Sequence, residues 1–240
     1  MSNEDFINKI TQGDCLELMK QMPDESVDLV LADPPYGLTQ NVNDVPVDLS
    51  ELFRIGKGVI LFSQQPYTTE LINKFKKFFR YDLIWDKVLS SGFLNANRMP
   101  LRVHEHILVF KDVKYNPQKT LGDKNHSKGV PKKNKNENYG EYDFVGSDFS
   151  GLKHPTSIWV FEKPHPSVAL HRTEKALKLI EYLIKTYSDE GDLVLDPFMG
   201  SGTTAVAAKQ LGRNFIGFEI SKEYCDIANK RLEQKQLNDV

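Results

Sequence analysis

The chain has 240 residues, 40% of them apolar and 27% charged, which is enough to bury a full core and is ordinary for a soluble globular domain. A formal net charge of −2 excludes a whole-molecule basic footprint, so any affinity for a polyanion has to be local. No apolar run approaches the roughly 18 residues of a membrane span, MSNEDFINKI is no basic-then-apolar leader, and Cys15 and Cys225 make neither a disulfide framework nor a metal-ligand spacing, so the expectation is a cytoplasmic, metal-free protein without a membrane partner.

In chain order, the first clear element is the apolar run Val27-Asp28-Leu29-Val30-Leu31-Ala32, which stops at Asp33-Pro34-Pro35-Tyr36 because proline donates no ladder hydrogen bond. A buried strand therefore ends in a rigid loop that begins with a carboxylate and ends with an aromatic ring. That combination suits an exocyclic amino group on a base, which is a poor nucleophile because its lone pair is delocalised into the ring. The Asp33 carboxylate and the Pro34 carbonyl are placed to accept the two amino hydrogens, drawing the nitrogen towards tetrahedral geometry. Pro34 and Pro35 fix those acceptors, and Tyr36 offers a flat face to a flipped-out base. Positioning and electrostatics suffice, with no covalent intermediate. The plainer alternative is a proline turn with a solvent-facing aspartate.

Further strand-length runs follow at Gly58 to Phe62, Tyr81 to Trp85, His106 to Phe110, Leu193 to Leu195 and Phe215 to Ile220. Between them, Leu71, Ile72, Phe75, Phe78 and Phe79 follow a helical spacing, as do Ala176, Leu177, Ile180, Leu183, Ile184 and Tyr187. Strands alternating with helices predict a doubly wound α/β fold with a mostly parallel sheet, in which ligands bind beyond the carboxyl ends of the strands. From Lys111 to Asn136, eight lysines stand against Asp112 and Asp123 among Pro117, Gly122, Gly129 and Pro131. This segment reads as a surface insertion over 111–153 within a single domain spanning 1–240. A solvated loop explains its charge as well as a phosphate-contacting one, for which Lys132, Lys133 and Lys135 are the candidates.

The second loop of interest is Asp196-Pro197-Phe198-Met199-Gly200-Ser201-Gly202-Thr203-Thr204, between the strand Leu193 to Leu195 and the helical stretch Ala205 to Leu211. Its glycines allow a tight turn and a close approach of backbone to ligand, and N–H groups at the helix start can hold an anion. Glu219, nineteen residues after Gly200, ends the next strand, where a nucleotide-binding unit places an acid for ribose hydroxyls. Glycine pairs alone are more often plain turns; the strand, loop, helix, strand and acid in register favour a ligand.

DPPY at 33–36 together with DPFMGSGTT at 196–204 resembles the amino-methylating DNA methyltransferases, in the subgroup whose catalytic tetrapeptide precedes the glycine loop. The likeness covers about 5–110 and 154–235; enzymes acting on ribosomal RNA usually present the glycine loop first. It implies a Rossmann-like S-adenosylmethionine-dependent methyltransferase fold with permuted motif order, and methyl transfer to N6 of adenine in DNA. N4 of cytosine stays open as the alternative, since Asp-first tetrapeptides are only more typical of adenine enzymes. Methylation at cytosine C5 needs a cysteine nucleophile in a Pro-Cys loop, which neither Cys15 nor Cys225 provides. A binding module that keeps the fold without turnover is the rival from another class.

For the cofactor, the resemblance implies Asp14 and Cys15 after the strand preceding the catalytic one, Asp33, and Asp196, Phe198, Gly200, Ser201, Gly202, Thr203 and Thr204, with Glu219 beyond. It adds His171, Thr173 and Lys175 on a helix starting at His171. Many relatives read His-Pro-Thr-x-Lys-Pro there, whereas this chain has Arg172 and Ala176 at the proline positions. Trp85, Phe93 and Asn95 fall in the part that lines the base pocket. The implied partner is double-stranded DNA with a flipped target base. A homodimer and a cognate restriction endonuclease are further partners the family suggests and the residues themselves do not disclose.

Overall fold

The computed structural model describes residues 3–38, 44–122, 133–136, 140–143, 151–165, 167 and 174–234. Its strands are β1 (Lys9–Gln12), β2 (Val27–Ala32), β3 (Gly56–Ser63), β4 (Phe79–Ser91), β5 (Arg102–Lys111), β6 (Thr120–Leu121), β7 (Lys133–Asn136), β8 (Gly140–Asp143), β9 (Leu152–Lys153), β10 (Ile158–Val160), β11 (Leu193–Asp196) and β12 (Asn214–Glu219). The helices are α1 (Cys15–Met19), α2 (Ser50–Ile55), α3 (Tyr67–Lys74), α4 (Leu177–Tyr187), α5 (Thr203–Gln210) and α6 (Lys222–Glu233).

Two compact units emerge: residues 1–116 with 157–240, and 117–156. In the first, eight strands form one sheet in the order β1-β12-β11-β2-β3-β5-β4-β10. All neighbours are parallel except β5, which runs antiparallel to both β3 and β4. The expected α/β class and mostly parallel sheet are what the structure has. One reversed strand brings the start of β5 to the edge where the other seven strands end. Asp14, Asp33, Asp196, Glu219, Lys87 and Glu105 thus lie at or near the same edge of the sheet.

The strands read as nearly continuous apolar runs because both faces are covered. Leu29, Leu31, Ile60 and Phe62 pack with Leu179, Leu183, Ala205 and Ala228 of α4 to α6 in one core. Val27, Val30, Val59 and Leu61 pack with Met19, Leu52, Phe53 and Leu71 of α1 to α3 in the other. Strand Val27–Ala32 agrees with its expected bounds, and the other five predicted strands are present with longer or shifted ends.

Two helices differ from expectation. The spacing through Phe79 predicts one helix, but α3 ends at Lys74, a 3-10 turn covers Lys76–Phe78, and Phe79 opens β4. Those phenylalanines follow an aromatic cluster instead of a helical stripe: Phe53 stacks on Phe75 at 3.9 Å and lies 5.4 Å from Phe78, while Phe79 meets Phe110 at 5.7 Å. The helix expected from His171 begins only at Leu177, because Ala176 is extended (φ −61°, ψ 124°). Glu174 and Lys175 therefore sit in the connection before α4, while His171 and Thr173 lie outside the described residues.

The second unit pairs β6 with β9 and β7 with β8, both antiparallel. It starts at Pro117, later than the expected 111, because the preceding residues are tied into the first unit. Lys111 Nζ donates to the carbonyls of Phe53 and Gly56, and Lys114 pairs with Asp189 and Asp192. Two of the eight lysines counted in the basic segment are thus structural cations.

Gly202 shows what the α5–α6 packing demands. Its φ is +86°, and a Cβ there would stand 2.8 Å from the Ala228 Cβ on α6. Gly202→Ala is expected to destabilise the fold by about 1–3 kcal/mol, and Ala228→Gly in the same chain to restore part of that loss. Denaturant midpoints of the single and double variants check this. An unchanged midpoint for Gly202→Ala would remove the packing role.

Candidate active site

β2 delivers Asp33 to the catalytic edge, where its side chain is 23% exposed. The Tyr36 hydroxyl donates to Asp33 Oδ1 at 2.6 Å, and the Lys175 ammonium donates to and pairs with Oδ2. Burial, and then the charge of Asp33, push the Tyr36 phenol well above its ordinary value, so it is a donor and not a phenolate. The Tyr36 ring lies 5.6 Å from that of Tyr67. Asp44 ties down the far side of the loop: it accepts the backbone N–H groups of Tyr36, Gly37 and Leu38 at 2.7, 2.8 and 2.9 Å. Five N–H or O–H groups thus converge on two aspartates and hold the tetrapeptide in one shape.

Lys175 extends this arrangement inwards. Its Nζ lies 3.5 Å from Glu105 Oε2 and 4.9 Å from the centre of the Phe62 ring. Glu105 Oε1 accepts from Lys87 at 3.2 Å, and the Lys87 side chain is only 4% exposed. Lys87 enters this site where β4 departs from its register with β5 between Asp86 and Ser91. Burial alone would depress Lys175, but Asp33 and then Glu105 outweigh it and raise its pKa. Burial would likewise raise Glu105, yet Lys175 and Lys87 hold it below the usual carboxylate range.

The glycine loop is shaped by its own acids. Asp196, buried, accepts from the Phe198 N–H at 3.0 Å and the Thr204 hydroxyl at 2.6 Å. Burial drives its pKa up to about 7, against those two hydrogen bonds. Glu219 accepts from the N–H groups of Gly200 and Ser221, each at 2.8 Å. Gly200 and Gly202 both have positive φ, 53° and 86°. The hydroxyls of Ser201 and Thr203 accept from Arg231 at 3.2 and 3.1 Å, and Arg231 pairs with Glu174 at 2.9 Å. So the side chains of Ser201, Thr203, Thr204 and Asp196 serve the loop itself, and the backbone N–H groups that open α5 are what it can offer a ligand.

At β1, the Asp14 carboxylate caps α1 through the Leu16 N–H at 2.8 Å. Burial, and then Asp14, push the Cys15 thiol up to about 12, which leaves it protonated and unreactive. Four carboxylates beside a helix N-terminus suit a ligand that carries a sulfonium cation, an ammonium and a carboxylate. Glu219 keeps acceptor lone pairs for ribose hydroxyls, since a carboxylate has roughly four acceptor sites and two are used. The residues present therefore fit S-adenosylmethionine.

Of the expected base-pocket residues, Trp85 belongs to the core. It is 1% exposed, meets Phe62 edge-on, and its Nε1–H donates to the Phe161 carbonyl at 2.7 Å. Phe93 and Asn95 instead form an exposed 3-10 turn between β4 and β5, where Phe93 is 81% and its neighbour Leu94 97% exposed. Lys133 and Lys135 lie on β7, and Lys132 is outside the described residues. Lys87 and Glu105 fall within the stretch from Ile84 to His106 that resembles the family's base-pocket lining, though no role was expected of either; Asp44 and the role of the Tyr36 hydroxyl were not foreseen. Apart from that likeness, the sequence shows a lysine and a glutamate at strand ends, where a solvated charge is the default.

An eight-stranded sheet with one reversed strand, carrying a Pro-Pro loop and a glycine loop on its carboxyl edge, is a Rossmann-like methyltransferase architecture. The chain belongs to the N6/N4 DNA methylase family, whose model, described as DNA methylase, matches residues 50–230. It is 32% identical to the type II methyltransferase M.BglII of Bacillus subtilis, over 94% of this chain and 69% of that one. Among solved structures, the M1.HpyAVI–SAM complex is similar with a TM-score of 0.61 and 26% identity, covering 93% of this chain and 99% of that chain. The cytosine-N4-specific PvuII DNA methyltransferase shares the fold at a TM-score of 0.64 and 18% identity, covering 95% and 87%.

The raised Asp196 carboxyl has a consequence for stability. Between about pH 4 and 7 the folded chain retains a proton here that the unfolded chain has released, so this group's contribution to stability falls as pH rises through that window. Asp196→Asn is expected to flatten that part of the profile. Unfolding free energies of both proteins from pH 4 to 7 check it; parallel curves would mean that Asp196 is ionised throughout.

Proposed function

We propose that this DNA methylase uses S-adenosylmethionine to methylate N6 of adenine in duplex DNA. The observation that carries the reading is the Asp33 carboxylate, fixed at the end of β2 and already engaged by an N–H cation in the Lys175 ammonium. When bound, S-adenosylmethionine would supply a methyl group made electrophilic by its sulfonium sulfur, which would take back the S–CH3 electron pair and depart as a neutral thioether. The chain's own part is to present the amino nitrogen. Asp33 and the Pro34 carbonyl accept its two hydrogens, and the nitrogen lone pair is left directed at the methyl carbon. Once the new N–C bond carries positive charge on nitrogen, one N–H proton leaves through the Asp33 carboxylate to water.

A base inside a duplex does not reach a carboxylate set in a loop at a strand end, so the target nucleotide has to leave the stack. The exposed Phe93 and Leu94 offer apolar surface on the same edge of the sheet for the disturbed duplex. Support for adenine comes from the aspartate that opens the tetrapeptide. The fold does not discriminate, since the PvuII enzyme with the same architecture is cytosine-N4-specific.

Methylating mixed-sequence DNA with labelled S-adenosylmethionine, digesting it to nucleosides and weighing the modified one is the decisive experiment. N6-methyladenine is expected; N4-methylcytosine alone would overturn the base assignment, and no transfer at all would favour a binding module. Asp33→Ala is expected to abolish transfer with cofactor affinity in calorimetry largely kept. Tyr36→Phe is expected to lose about tenfold in rate, because Oδ1 of Asp33 loses its donor, and a wild-type rate would confine Tyr36 to stacking.

For the basic segment, phosphate contact by Lys132, Lys133 and Lys135 is the proposed role. Replacing all three with alanine is expected to weaken DNA binding and to flatten the plot of log affinity against log salt by about 0.9 per lost contact. An unchanged slope would leave them as solvated surface.

A further inference from the structure

The role given to Asp33 above, acceptor for the target amino group, meets an obstacle in the structure. Each oxygen of that carboxylate already accepts one donor: Oδ1 the Tyr36 hydroxyl and Oδ2 the Lys175 ammonium. An amino group that turned cationic while sharing Oδ2 with an ammonium would set two like charges on one oxygen, so one donor has to withdraw. Tyr36 is three residues from Asp33 in a proline-stiffened loop that Asp44 ties down, whereas Lys175 reaches in on a long side chain from the connection before α4. The ammonium is the donor that can leave. A buried cation stranded without an anion is strongly unfavourable, so it needs a second place to go.

We propose that Glu105 is that place, a positioning residue whose Oε2 receives the Lys175 ammonium when the amino group takes over Oδ2 of Asp33. The geometry is already set for the exchange. Oε2 lies 3.5 Å from Lys175 Nζ, is buried, and accepts no hydrogen bond from any described residue. Oε1 is occupied by Lys87, which keeps Glu105 an anion while leaving Oε2 open. The Phe62 ring lies within cation–π reach of Nζ, so the ammonium is not bare between its two positions.

The exchange also conserves charge at Asp33. The leaving ammonium is an N–H cation, and the amino nitrogen that replaces it becomes one as the methyl group arrives. Asp33 thus trades one cation for another and is organised in advance for the charge that develops. Lys175 is not the base that removes the final proton: with Asp33 and Glu105 facing it, its pKa is raised and it stays an ammonium at either position.

The groups that face Lys175 are Asp33 and Tyr36 after β2, Glu105 on β5 and Lys87 on β4, with Lys163 beyond β10 close enough to feel its charge. In Glu105→Gln the ammonium keeps only Asp33, so it stays there and blocks the amino group. The expected result is a single-turnover rate lowered by about tenfold or more, with cofactor affinity unchanged in calorimetry. Raising pH towards the ordinary lysine value of about 10.4 should recover that rate by neutralising Lys175, while the wild-type rate stays flat over the same range. Glu105→Asp keeps the charge at shorter reach, so a smaller loss without the alkaline recovery is expected.

Lys175→Met supplies the cross-check. With nothing to move off Asp33, this variant takes the exchange out of the reaction, so whatever rate it keeps, adding Glu105→Gln to it should cost nothing further. A further tenfold loss in the double variant relative to Lys175→Met, or a Glu105→Gln profile without alkaline recovery, would each overturn the proposal. Full turnover in Asp33→Ala would instead overturn the reading of Asp33 on which it stands.

Discussion

A single carboxylate sets the terms for this molecule. Asp33 stands where a strand buried at all but one of its positions gives out, and it holds a phenol on one oxygen and an ammonium on the other. One partner is local and the other is not: the phenol sits three residues on, in a loop that a second aspartate anchors from outside, whereas the ammonium comes from 142 residues away in sequence. The position of Asp33 depends in turn on β2 lying between β11 and β3, with packed cores on both faces. Loosening any of these layers moves the one atom pair whose placement the chemistry requires.

The sheet does the gathering. Parallel strands joined through helices place their carboxyl ends on one edge, and the reversed β5 adds its amino end to the same edge. The two loops there are stiffened differently. The Pro-Pro loop relies on fixed φ angles and on Asp44. The glycine loop relies on Asp196 and Glu219, whose carboxylates bind its N–H and hydroxyl groups. In the second loop the side chains serve the protein and the backbone is left for the ligand, which is why a short motif with few chemical groups can hold a polar cofactor.

How much of this was legible in the sequence follows from the range of the forces involved. The strands, the two loops and the doubly wound class rest on local periodicity and on proline and glycine stereochemistry, which any short window displays. The aromatic cluster around Phe53 defeated the helix drawn to Phe79, since three rings meeting across the core mimic a helical stripe in one dimension. Trp85 was placed in the pocket by the family resemblance alone, whereas its position at the end of an apolar run points to the core, where its indole N–H is satisfied by Phe161. The pairing of Lys87 with Glu105 was invisible for the opposite reason: a charge in a sequence is taken as solvated, and only the fold shows that these two neutralise each other under cover.

Lys87, Glu105, Lys175 and Asp33 form an alternating row of charges drawn from four separate stretches of chain, with no net charge among them. Replacing one member alone leaves this largely buried row with an uncompensated charge, a loss of several kcal/mol in a protein that has about 5–15 to lose. Inheritance therefore acts on the row as a unit. A lineage that drops one of the cations must drop or neutralise an anion in the same passage, and the four positions are bound to diverge together, although no two of them are neighbours in the gene.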